Sequence, residues 1–186
     1  MSEFLPLSSP HRSDSRGSTV DLPTGYSTEQ FLQLRLAATT RVLLPIQQLI
    51  EVLTVSEGQI IPIPHMPAWV MGVYNWRGEI LWMIDLGHLC GLAPWYQQSV
   101  SRSMHSAVVL NITEHSTTAP ARSNILGLVV SQVEDIEWCQ LDAIQALSQT
   151  PISPELAQLA AGYWQRTEND SLVILDGKAI LNQMPQ

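Results

Sequence analysis

Pro67 to Leu92 reads P-A-W-V-M-G-V-Y-N-W-R-G-E-I-L-W-M-I-D-L-G-H-L-C-G-L, almost without charge. Arg77-Gly78 interrupts two apolar runs and marks a hairpin turn. Val73–Trp76 and Glu79–Ile84 are the expected strands. Pro67 is suited to a helix's first turn, where its missing N–H costs nothing, so a short helix is expected there, ended by Gly72. Asp85 is placed to cap a second short helix through Leu89, closed by Gly91.

Upstream, Leu32, Leu34 and Leu36 alternate with Gln33 and Arg35, the period of a half-buried strand. Ala37–Thr40 turns the chain into a second strand, Arg41–Ile46. Gln47–Leu53 reads as a short helical turn leading into a strand. In I-I-P-I-P (60–64) the prolines cannot donate to a ladder, so this is an edge or extended connection. Downstream, Ala107–Ile112 and Ile125–Val130 are strands around a long polar tip, Thr113–Asn124. Val133–Leu141 alternates partly. Pro154–Leu159 is a short helix capped by Ser153. Tyr163–Arg166 and Leu172–Leu175 form a last hairpin, followed by a helical turn from Asp176.

The order of these elements recurs. I-Q-Q-L-I-E-V (46–52) aligns with V-S-Q-V-E-D-I (130–136), and Asp85 with Asp176. The second pass follows the first at 84 residues for Gln48 and Gln132, and 91 for Asp85 and Asp176, a drift that a loop insertion explains. Two similar small β-units follow, as curled sheets or barrels rather than a parallel α/β sheet. Units of roughly 75 residues are marginal alone, so a shared apolar seam is expected.

The totals agree. The chain has 186 residues, 45% of them hydrophobic and only 14% charged, with net charge −8 and Lys178 as its one lysine. Low charge implies much burial or apolar contact surfaces. No basic stripe exists to neutralise phosphates, which argues against nucleic-acid binding and against anionic membrane surfaces. Cys90 and Cys139 are too few for a disulfide scaffold and read as core residues. Neither a signal peptide nor a run long enough for a membrane span is evident, so an intracellular soluble chain is expected. Residues 1–28 are rich in Ser, Pro, Thr and Gly and are expected to be a disordered leader, with 29–186 the folded domain.

Asp85, His88 and Cys90 are close enough to suggest a nucleophile, base and acid, and hence a cysteine-dependent hydrolase as a rival reading. Nothing supplies oxyanion donors for it. Glu134, Asp135 and Glu137 read as a solvated face. No zinc spacing, phosphate loop or dinucleotide fingerprint occurs, and no cofactor is expected. Arg77 stands out as the one cation between Arg41 and Arg102, with Glu51 and Glu79 among the acidic residues of its region. An arginine oriented by a carboxylate on an apolar face suits a protein interface.

The central motif, a proline-led segment, Gly-Val, Asn-x-Arg-Gly, a strand and Ile-Asp-Leu, resembles the signature of CheW-like coupling domains. The A-V-V-L-N-I strand, L-G-L-V-V-S-Q-V-E-D-I and the closing L-V-I-L-D fit the same order, over about residues 30 to 184. The resemblance implies mainly β structure: two small five-stranded barrels of the Src-homology-3-like kind on an apolar seam, with a few short helices. It implies a non-catalytic adaptor, cytoplasmic and peripheral to membrane-associated receptor arrays. Its implied partners are a CheA-type histidine kinase and the cytoplasmic tip of a methyl-accepting chemoreceptor or photoreceptor. One barrel would meet the kinase, and a groove between the barrels the receptor. By motif, Glu51 and Arg77 match partner-contacting residues that pair, and Gly72 and Gly78 match glycines that shape the binding face. Leu49, Asn75 and Trp76 complete the expected site.

This sequence departs from the family pattern at Ala38-Thr39-Thr40, which lacks acidic residues. Trp76 stands where leucine is usual and Trp82 where proline is common. A more aromatic face suggests a partner set unlike that of flagellar chemotaxis, and a phototaxis or type IV pilus twitching pathway fits by analogy.

Overall fold

A computed structural model describes residues 27–97, 103–113, 123–147, 152–168 and 170–185. Residues 1–26 of the proposed leader, 1–28, and most of the polar tip, 114–122, lie outside them, while Thr28 already opens the first strand. The described chain forms two antiparallel-rich sheets, each curled into a small barrel.

The middle barrel contains β3 (Leu49–Ser56), β4 (Val70–Trp76), β5 (Glu79–Asp85), β6 (Met104–Thr113) and β7 (Ser123–Val130), in the order β3-β6-β7-β5-β4. After β3 a 3-10 turn, Glu57–Gln59, carries the chain around the barrel, and Ile61 bridges Val73 on β4 at the opposite edge. The terminal barrel contains β1 (Thr28–Arg35), β2 (Arg41–Pro45), β8 (Gln132–Gln140), β9 (Ile144–Gln145), β10 (Ala160–Thr167) and β11 (Asp170–Leu175), in the order β8-β1-β2-β11-β10-β9. Here β8 and β9 are one strand bent at the 3-10 turn Leu141–Ala143, so both edges of the sheet belong to it. Counted that way, each barrel has five strands; the bent strand closes the terminal one, and the bridge between Ile61 and Val73 spans the gap in the middle one.

The repeat in the sequence is real in structure but is not partitioned as the sequence suggests. The hairpin β1–β2 opens the first pass, yet it pairs with β8 and β11 of the second. The hairpin β6–β7 opens the second pass, yet it pairs with β3 and β5 of the first. The passes have exchanged hairpins, so neither barrel is a contiguous unit. The remaining parts correspond closely. β4 and β10 each carry a bulge just before Gly72 and Gly162. The N–H of Asp85 donates to the carbonyl of Trp69 at 2.9 Å, and that of Asp176 to the carbonyl of Leu159 at 2.8 Å. Asp85 caps α1 (Leu86–Leu89) and Asp176 caps α3 (Gly177–Leu181) through their carboxylates. α2 (Pro154–Leu159) has the expected Ser153 cap.

No helix forms at Pro67. Its carbonyl accepts from the N–H of Val70 in a single turn, and Val70 already opens β4. The local helix signal loses to the ladder with β5 and the bridge to Ile61. Gly72 therefore lies inside a strand rather than at a helix end.

Alternation of side chains explains the scarcity of charge. On β6, Ala107 and Val109 enter the middle barrel, while Val108, Leu110 and Ile112 face the seam. On β2, Leu43 enters the terminal barrel and Val42 and Leu44 face the seam. On β11, Leu172 and Ile174 point inward and Val173 and Leu175 to the seam. Strands covered on both faces carry apolar residues at successive positions. The seam cluster is the largest of the three cores, and both barrels depend on it.

Candidate functional site

The β4–β5 hairpin turns on two residues. Arg77 has φ +54° and Gly78 φ +87°, left-handed values at both central positions, the geometry whose twist matches a two-residue hairpin. Gly78 adopts that conformation without strain, and its N–H donates to Asn75 Oδ1 at 3.0 Å. The tip is thus fixed from within the hairpin.

Glu51, on β3, reaches this tip. Its Oε2 accepts from Arg77 Nη2 at 2.7 Å, and its Oε1 accepts a short hydrogen bond from the indole Nε1 of Trp76. The guanidinium carbon of Arg77 lies 5.1 Å from the Trp76 ring centroid, within cation–π range. Arg77 is 65% exposed and Glu51 26%. Five of the expected residues, Glu51, Asn75, Trp76, Arg77 and Gly78, therefore form one cluster.

Trp76 is not itself a contact face. It is 9% exposed and packs inside the middle barrel with Val55, Ile60, Leu81 and Met83. Trp82 is half-buried against the seam. The aromatic face read from the sequence is therefore largely internal. Leu49 and Gly72 also fall outside the cluster. Leu49 packs against the seam. Gly72 has φ +141°, and a Cβ there would lie 2.1 Å from the carbonyl oxygen of Ile61, so this glycine lets the barrel close.

Ile80 escaped the sequence reading. It sits opposite Asn75 beside the tip and is 76% exposed. It shares a strand face with Trp82 and Ile84, and exposure rises along that face from fully buried Ile84 through Trp82 to Ile80. Counting back from the turn would have found it, since polar Asn75 marks the outward side. Further exposed apolar residues lie on β3 (Ile50, Val52) and β8 (Ile136, Trp138). Leu49 and Val133 on the same two strands pack on the seam, so these patches flank it on both barrels.

The hydrolase constellation is not assembled. Both oxygens of Asp85 accept backbone N–H groups, from His88 at 3.0 Å and Trp95 at 2.8 Å. Burial, with the Asp85 charge beside it, pushes the Cys90 thiol up to about 12, suppressing the thiolate that a nucleophile requires. Cys139, also buried, is raised to about 11. No group of residues able to hold a metal ion occurs among the described residues.

Glu134 is not on a solvated face. Its side chain is 9% exposed, accepts hydrogen bonds from Gln33 and Arg35, and pairs with Arg41 at 3.2 Å. Burial pushes its carboxyl up, but the hydrogen bonds from Gln33 and Arg35 and the charges of Arg35 and Arg41 outweigh this and hold it below its usual value. Nearby, Arg166 pairs with Glu137 at 2.7 Å and more closely with Asp170.

Comparison with known proteins agrees with this fold. The structure resembles the scaffolding protein TtCheW from Thermoanaerobacter tengcongensis, with TM-score 0.61 and 19% identity, over 81% of this chain and 90% of that one. A probable chemotaxis protein CheW from Rhizobium etli is 34% identical over 73 residues, and a chemotaxis protein CheW from Rhizobium meliloti 29% identical over 75. These matches span 39% and 40% of the relatives' lengths, and the same shares of this chain. The model of the CheW-like domain matches residues 30–184, well over half of the chain, and the chain belongs to the CheW-like domain family.

Proposed function

We propose that this chain is a non-catalytic adaptor of chemosensory signalling, joining a CheA-type histidine kinase to the cytoplasmic tip of a methyl-accepting chemoreceptor or photoreceptor. The observation that carries this reading is the preformed Glu51–Arg77 pair on an exposed hairpin tip, beside Ile80. A charged fork with an apolar side chain next to it is the composition of a protein-interface anchor. The kinase meets the middle barrel at this tip. The receptor meets the apolar edges of β3 and β8 that flank the seam, at Ile50, Val52, Ile136 and Trp138. Coupling then needs no chemistry on the adaptor: it holds both partners so that receptor state biases kinase activity.

No helix among the described residues is long and apolar enough to cross a membrane. We place the adaptor in the cytoplasm at receptor arrays because its partners act there. Chemotaxis is the process named for the two Rhizobium relatives. Phototaxis and type IV pilus twitching are the finer assignments, resting on the analogy drawn from the sequence.

Pull-down of kinase and receptor with Glu51→Lys and Arg77→Ala chains tests the site. Both variants should fold normally and lose kinase binding while keeping the receptor. Wild-type capture of the kinase by both variants would remove the assignment. A deletion strain scored separately for swimming, light response and twitching distinguishes the pathways.

A further inference from the structure

Exposed ion pairs orient their side chains weakly, because two long chains must be held in one geometry against water and salt. The Glu51–Arg77 pair has an additional constraint in Trp76. The indole body is rooted in the middle barrel, yet its Nε1 edge reaches Glu51 and its ring lies under the Arg77 guanidinium. Each oxygen of Glu51 then serves one donor, and the two donors come from adjacent residues of a turn already fixed by Asn75.

We propose that Trp76 is the positioning residue of this site: it holds Glu51 and Arg77 in one arrangement so that the free edge of the guanidinium is presented to a carboxylate on the partner. The inference rests on the reading of the tip as a partner site. Arg77 uses Nη2 towards Glu51, and its remaining N–H groups have no partner among the described residues. A planar fork with one edge occupied and the other open favours bidentate capture of a second carboxylate. Ile80 next to it selects a partner segment that sets an apolar side chain beside the acidic one. Holding the fork in place before binding reduces the ordering cost at the interface. Leucine at this position would fill the same core but offers neither an N–H nor a π face. In the terminal barrel the pair next to the turn is Thr167–Asp170 where the middle barrel has Trp76–Glu79, so no indole stands at that position.

The test uses the full-length chain with Trp76→Phe, which keeps a ring and loses the N–H, and Trp76→Leu, which loses both. Affinity for the kinase regulatory domain is measured beside thermal stability, and the Trp76 indole N–H is followed by NMR in the free chain. Trp76→Phe should raise Kd about fivefold and Trp76→Leu about twentyfold. In a Glu51→Ala background Trp76→Phe should add nothing. The indole proton should move from its hydrogen-bonded position towards that of a free indole N–H in Glu51→Ala. Unchanged Kd in both Trp76 variants, with Arg77→Ala still weakening binding, would make Trp76 a core residue only and end the proposal. If Arg77→Ala binds like wild type, the partner site itself is wrong and the role given to Trp76 falls with it.

Discussion

The middle and terminal barrels share a bent strand, a bulged hairpin with a glycine at the closure, and a short helix capped by aspartate, but they treat charge at the hairpin end differently. In the terminal barrel, Arg166 is 35% exposed and engages both Glu137 and Asp170, with Gln33 in reach at 3.4 Å, while Glu134 collects Gln33, Arg35 and Arg41. Charges there are largely satisfied within the barrel. In the middle barrel one arginine faces one carboxylate, is 65% exposed, and stands beside a bare isoleucine. One hairpin end is closed by its own network, and the other is left open to a partner.

The comparison can be broken first at the closures. A Cβ at Gly162 would lie 2.8 Å from the carbonyl of Gln145, against 2.1 Å at Gly72, and only Gly72 also has a left-handed φ. Gly72→Ala should cost about 4 kcal/mol and Gly162→Ala about half of that, read by chemical denaturation. Equal costs would mean that the two closures are under the same constraint.

The charge network comes next. The depressed Glu134 carboxyl contributes stability that is fully present above its unfolded value of about 4.3 and is lost as pH falls through the lower folded value. Glu134→Gln should therefore cost about 1–2 kcal/mol at neutral pH and flatten the acid limb of the stability curve. An unchanged acid limb would show that the network contributes nothing. The smallest stability effect belongs to Arg77→Ala, expected within about 0.5 kcal/mol because its ion pair is exposed. A larger loss in a thermal melt would make Arg77 a structural residue.

Local chemistry carried much of this fold into the sequence. Asp85, Ser153 and Asp176 act as caps because a cap needs only its own next few residues. Arg77-Gly78 turns the hairpin for the same reason. Long-range choices were harder to read. The exchange of hairpins depends on β1 pairing with β8 about a hundred residues away, and successive apolar positions look alike whichever barrel they serve. Glu134 passed for a solvated residue because Arg35 and Arg41 lie on the first hairpin. Trp76 was legible as a departure from leucine, but its burial and its bond to Glu51 required the register of β4 and the position of β3.

The most direct measurement sets the two hairpin ends against each other: titration of the kinase regulatory domain into Arg77→Ala and Arg166→Ala chains, with a melt of each. The account predicts at least a tenfold rise in Kd for Arg77→Ala at near wild-type stability, a loss of about 1.4 kcal/mol in binding. For Arg166→Ala it predicts lower stability and wild-type affinity. Wild-type affinity in Arg77→Ala, or loss of affinity confined to Arg166→Ala, would contradict it.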